Sequence, residues 1–120
     1  MSVLVALTDS AEGRAALEAG AHEAVALNVQ LTVVNLTGGD VDTTSIGSEV
    51  PFEVVVPTGG SDVDEVEQVL QVLEERPEVT RLVVGVRKRS PIGKAVLGSI
   101  AQRLILESPI PVLSVKTSDA

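Results

Sequence analysis

Apolar residues along the chain follow two rhythms. Val3-Leu4-Val5-Ala6-Leu7 is an unbroken run with β-branched members, the pattern of a strand buried on both faces of a parallel sheet. After Thr8-Asp9-Ser10 the period changes. From Ala11 to about Asn28, residues Gly13, Ala16, Leu17, Gly20, Ala24 and Leu27 share one helical face, with Arg14, Glu18 and His22 opposite. Glycine and alanine on the inner face predict a close approach to the sheet. Asp9 and Ser10 both stand where a helix cap is needed. Gln30 to Leu36 reads as a second strand. Phe52 to Val56 reads as a short third one, its flanking Pro51 and Pro57 suiting a sheet edge.

Between these strands, Thr37 to Val50 is polar and Gly-rich with no helical stripe, a loop of about fourteen residues. Ser61 is expected to cap a helix running to Arg76. Asp62, Asp64 and Glu65 fall in its first turn, and Val63, Val66, Leu70 and Leu73 on its buried side. Arg81 to Gly85 reads as a fourth strand ending in a glycine turn and a basic loop. Gly98-Ser99 then opens a last helix, with Ser99 as its cap and Ile100, Ala101, Leu104 and Ile105 apolar. Pro109 and Pro111 end it before a final strand, Val112 to Val115. Alternation of this kind predicts one α/β domain over residues 1–120 with a mainly parallel, doubly wound sheet. Right-handed crossovers set the carboxyl ends of the first and fourth strands side by side, so Asp9 and Gly85 are expected to border one crevice.

Charge sharpens that expectation. The chain of 120 residues carries a net charge of −8, yet Arg81, Arg87, Lys88, Arg89, Lys94 and Arg103 follow one another from Thr80 to Leu106 with no acid among them. A local positive field on an acidic protein points to an anionic ligand, with a solvated basic loop as the plain alternative. A glycine-marked strand exit facing a helix N-terminus would supply amides for such an ion. The acidic balance and the lack of Trp and Tyr argue against nucleic-acid binding.

Other chemistries lack their residues. There is no Cys, and the one His, His22, stands on a polar face without partners. Asp40 and Asp42 lack the remaining ligands of a calcium loop. Gly93-Lys94 is followed by Ala95, so it is no phosphate-binding Walker loop. No base–nucleophile pair suggests an enzyme. The start MSVLVALTDS has neither a basic leader nor a membrane-spanning run, so a cytoplasmic location without membrane attachment is expected.

With VLVALTDS at the start, LVVGVRKR, then GKAVLGSIAQRLILES and IPVLSV toward the end, the chain resembles the universal stress protein family. The resemblance implies a five-stranded parallel sheet in the order 3-2-1-4-5. It implies a stress-response or regulatory protein that binds ATP or a related nucleotide, any Mg²⁺ arriving with the phosphates, rather than an enzyme; slow hydrolysis of bound nucleotide stays open. It also implies a homodimer through the last strand, here Val112, Leu113 and Val115. Nucleotide-binding members carry Gly-x-x-Gly, nine intervening residues, then Gly-Ser or Gly-Thr. Gly85 and Gly98-Ser99 match this pattern, and the middle glycine is replaced by Lys88.

The implied ligand-binding set is Thr8, Asp9, Leu36, Gly85, Val86, Arg87, Lys88, Gly98, Ser99 and Ile100. The family helix between strands 2 and 3 has no counterpart in the short, Gly-rich Thr37–Val50 segment, so one face near strand 3 is expected to be less covered. These two departures motivate an alternative, a dimeric scaffold of the same fold that has lost nucleotide binding.

Overall fold

A computed structural model of the chain describes residues 1–44, 46–57, 64–89, 94–96 and 98–117, with the side chains of 88, 89 and 94–96 left out. Strand β1 (Ser2–Leu7) is buried along its whole length. Its two faces feed two cores, as its unbroken apolar run requires. Val3, Val5 and Leu7 pack under helix α1 (Ala11–Leu27). Leu4 and Ala6 pack under α2 (Glu65–Glu75) and α3 (Ser99–Glu107). Each fully buried Val or Leu contributes about 1.5–3 kcal/mol.

Strand β1 pairs in parallel with β2 (Gln30–Asn35) on one side and β4 (Val79–Arg89) on the other. Strand β3 (Phe52–Val55) lies beyond β2. The last strand, β6 (Val112–Lys116), lies beside β4. The five parallel strands thus run third, second, first, fourth, last, as the family resemblance implies. A short strand β5 (Lys94–Val96) is additional. It pairs antiparallel with the end of β4, Arg87 opposite Val96 and Arg89 opposite Lys94.

That pairing corrects the reading of the fourth strand. Gly85 is not its terminus, and Val86, Arg87 and Lys88 are not loop. Gly85 lies inside β4, level with Val115 of β6. The strand continues to Arg89 because β5 supplies hydrogen-bond partners that no local pattern reveals. A Cβ on Gly85 would come within 1.9 Å of the Glu12 carbonyl oxygen, so the glycine serves a close helix–strand contact rather than a turn.

Helix caps differ from expectation in two places. Ser10 caps α1, its Oγ accepting from the Gly13 amide at 3.0 Å, which settles the choice between it and Asp9. Helix α2 starts after Asp64, whose Oδ1 accepts from the Val66 amide at 2.8 Å. Ser61, the expected cap, lies with Asp62 and Val63 outside the described residues. In α3 the cap is Gly98, with no side-chain bond, and Ser99 is already the first helical residue. The buried side of α2 is Val66, Val69, Val72 and Leu73, with Leu70 only partly covered.

Among the described residues, no helix joins β2 to β3. Ile46 and Val50 of the connecting segment are instead buried in the core beneath α1. Toward the edge this cover gives out, and Phe52 and Val54 of β3 are 42% and 37% exposed, the thinner cover that the lack of a helix predicts. No helix among the described residues is long and apolar enough to cross a membrane.

Candidate functional site

At the carboxyl end of the sheet, on the α2–α3 side, lies an open cavity of about 750 Å³. One wall is apolar, built from Leu36 after β2 and Val56 and Pro57 after β3. The other is formed by the starts of α2 and α3, with Asp64, Glu65, Ser99, Ile100 and Arg103. The exit of β2 is held in place by its own bonds. The Leu36 amide donates to the Leu7 carbonyl at 2.9 Å. Asn35 then closes the turn, its Oδ1 accepting from the Thr37 amide at 3.0 Å and its Nδ2 donating to the Gly39 carbonyl at 2.8 Å.

The start of α3 has the chemistry of an anion site. Its first-turn amides have no helical carbonyl to bond, and Gly98 offers no side chain to cap them. The helix dipole adds partial positive charge there. At the start of α2 the charge is opposite. Asp64 caps that helix with one carboxylate oxygen, and its Oδ2 accepts from Arg103 Nη1 at 2.5 Å. The guanidinium, helped by the Val66 amide, holds the Asp64 carboxyl below the usual carboxylate range. Asp64 in turn raises Arg103 above the ordinary arginine value.

The expected site residues are only partly brought together. Leu36, Ser99 and Ile100 share this cavity, and Gly98 caps the helix that bounds it. Thr8 and Asp9 line a second cavity of about 470 Å³, with Arg14, Glu18, Asp40 and Asp42. Among the described residues, Gly85 lines neither cavity, so Asp9 and Gly85 share no lining there.

Strand alternation is the physical reason. Leu82 and Val84 of β4 belong to the core under α2 and α3, whereas Val83 belongs to the core under α1. Gly85, two residues on, backs onto the first turn of α1, the side away from the cavity. Arg87 is exposed and faces Glu12 at 3.7 Å. Val86 is buried, its carbonyl accepting from the Thr117 amide. Lys88 is placed only by its backbone, opposite Ala95; its side chain lies outside the described residues.

The sequence reading missed Val56, Pro57, Asp64 and Arg103 as cavity residues. For Arg103 a signal existed, since it follows Ser99 by one helical turn and so shares its face.

Parallel strands ordered around β1 and β4, helices on both faces and a cavity at the strands' carboxyl ends define a Rossmann-like α/β protein. Comparison with known proteins narrows the class. The profile of the Universal stress protein family matches residues 52–116. A universal stress protein of Mycolicibacterium smegmatis is 42% identical, over 87% of this chain and 88% of that one. The chain belongs to the universal stress protein family.

Among solved structures, a universal stress protein from Archaeoglobus fulgidus is 26% identical over 97% of this chain and 98% of its own, with a TM-score of 0.75. A structure of the Archaeoglobus fulgidus protein in complex with dAMP, 22% identical over 97% of this chain and 98% of its own, shares the fold with a TM-score of 0.71. So does a universal stress protein in complex with cAMP, 16% identical over 96% of this chain and 97% of its own, with a TM-score of 0.56.

Proposed function

We propose that this chain is a nucleotide-binding regulatory protein that takes an adenine nucleotide, ATP or a related one, into the cavity between β2, β3, α2 and α3. The base lies against Leu36, Val56 and Pro57. The phosphates meet the first amides of α3 and the Ser99 hydroxyl. Any Mg²⁺ is carried in by the phosphates. The observation that carries the reading is the start of α3 at Gly98, uncapped by any side chain, beside a cavity whose opposite wall is apolar. Relatives in complex with dAMP and cAMP support the choice of ligand class. The role is binding rather than turnover. Calorimetric titration with ATP and AMP, at moderate and at high salt, tests it; absence of heat at about millimolar ligand, the weakest range of practical use, ends the proposal.

A second reading has its own support. In the family pattern the middle glycine lets the backbone reach the phosphates with no side chain in the way. In this chain Val86 to Arg89 is committed to β-pairing with β6 and β5, and Lys88 replaces the middle glycine. A dimeric scaffold without nucleotide affinity fits that arrangement. It requires Lys88→Gly to create or strongly improve ATP binding; a wild type that already binds, with Lys88→Gly weaker, removes it.

Under either reading we propose a homodimer through β6. Among the described strands β6 pairs only with β4, which leaves an edge of the kind proteins normally cover. Leu113 is 38% exposed there, between the partly buried Val112 and Val115. Sedimentation of wild type and Leu113→Lys at micromolar concentration is the check; a monomeric wild type excludes the dimer.

A further inference from the structure

Resting on the nucleotide reading of the cavity, we infer that Arg103 is a phosphate-binding residue held by Asp64, so that the ligand's phosphate and the Asp64 carboxylate compete for one guanidinium. Arg103 stands one helical turn beyond Ser99 on α3 and lines the same cavity. Among the described residues lining it, Arg103 is the one cation; Asp64 and Glu65 are the acids. Among the described lining residues, a phosphate at the start of α3 therefore meets one cationic side chain, and that side chain is already engaged.

The engagement is built to be exchanged. Arg103 Nε donates to Glu107 Oε2 at 3.1 Å, one turn along the same helix, which aligns the side chain. Its Nη1 reaches across to Asp64 on α2 at 2.5 Å. The two side chains are 40% and 47% exposed, and ion pairs at such exposure hold weakly. Phosphate offers the guanidinium a doubly charged, bidentate partner in place of a single carboxylate oxygen. Asp64 keeps its helix cap when Arg103 leaves, because its other oxygen still accepts from the Val66 amide. Binding would thus dissolve an ion pair between α2 and α3 while both helices stay intact.

The test titrates the full chain calorimetrically with AMP and with adenosine, which lacks the phosphate, at about 0.1 M and 1 M salt. The variants are Asp64→Asn, Arg103→Gln and Arg103→Lys. Asparagine keeps the helix cap and removes the competing charge. Asp64→Asn is expected to tighten AMP about threefold, the scale of one exposed ion pair, and to leave adenosine unchanged. The gain should shrink at the higher salt. Arg103→Gln is expected to weaken AMP about tenfold with adenosine unmoved, and Arg103→Lys to restore part of that loss. If wild type binds AMP but Asp64→Asn leaves it unchanged, or moves AMP and adenosine equally, the competition is wrong and the nucleotide reading stands. If wild type binds neither compound, both fall.

Discussion

Gly85 and the backbone of Glu12 are in direct apposition: a methyl group added to the glycine would stand 1.9 Å from the Glu12 carbonyl oxygen and 2.4 Å from its carbonyl carbon. The obstacle is backbone, and it belongs to the first turn of a helix capped by Ser10. It cannot swing aside as a side chain could. Gly85→Ala is expected to destabilise the fold by about 2–3 kcal/mol or more, the upper range for overpacking a core. Urea unfolding measures it, and a variant as stable as wild type would mean that α1 sits further from β4 than described.

Gly20 makes the same kind of contact with a side chain. A Cβ there would meet Val5 Cγ2 at 2.2 Å, and Val5 is fully buried. Alanine gains about 1 kcal/mol of helix propensity, which offsets part of the overpacking. The expected net loss for Gly20→Ala is about 1–2 kcal/mol. Gly39→Ala is the control. Open space surrounds Gly39 and its φ is not positive, so its unfolding midpoint should match wild type to within about 0.5 kcal/mol.

Ile46 sits in the segment that stands where the family has a helix, and it is 4% exposed. It therefore behaves as a core residue although no periodic pattern marks it. Ile46→Ala is expected to cost about 2–4 kcal/mol, whereas Thr44→Ala, at an exposed position of the same segment, should cost well under half of that. Equal small effects in thermal unfolding would show that the segment adds nothing to the core.

The Asp64–Arg103 pair carries a pH signature. The Asp64 carboxyl titrates below its ordinary value of 3.8, with the Arg103 hydrogen bond as the main cause. A depressed folded value means the contribution is fully present above the ordinary value and is lost as pH falls through the folded one. Stability owed to Asp64 should be constant from neutral pH down to the carboxylate range and vanish only below it. Carboxyl chemical-shift titration checks this directly. Arg103→Gln should raise the Asp64 midpoint toward 3.8; an unchanged midpoint would mean the pair does not form in solution.

Local pattern was enough for β1 and α1, because burial on both faces and a small-residue helical stripe are written in consecutive residues. The order of elements likewise implied a doubly wound parallel sheet, the family resemblance supplied the strand order, and the Gly-rich, stripe-free Thr37–Val50 segment showed that the family's helix is missing. Local pattern failed where the decisive partner is distant. Arg87 and Lys88 are strand because Val96 and Ala95 return to meet them, and Gly85 is glycine because Glu12 crosses it. Neither fact has a local signature.

What the sequence alone determined, then, is the class of fold, a glycine at the start of the last helix, and a net acidic chain with one stretch that carries only positive charges. Tertiary structure decided how those parts are shared out. Alternation along β4 turns Gly85 toward α1, while Leu36, Ser99 and Ile100 gather on the other side of the sheet, and Asp9 lines a separate cavity. The physical reason is that a sheet has two faces. Which face a residue serves depends on the register of strands and helices packed from far along the chain, and spacing in sequence carries no record of that.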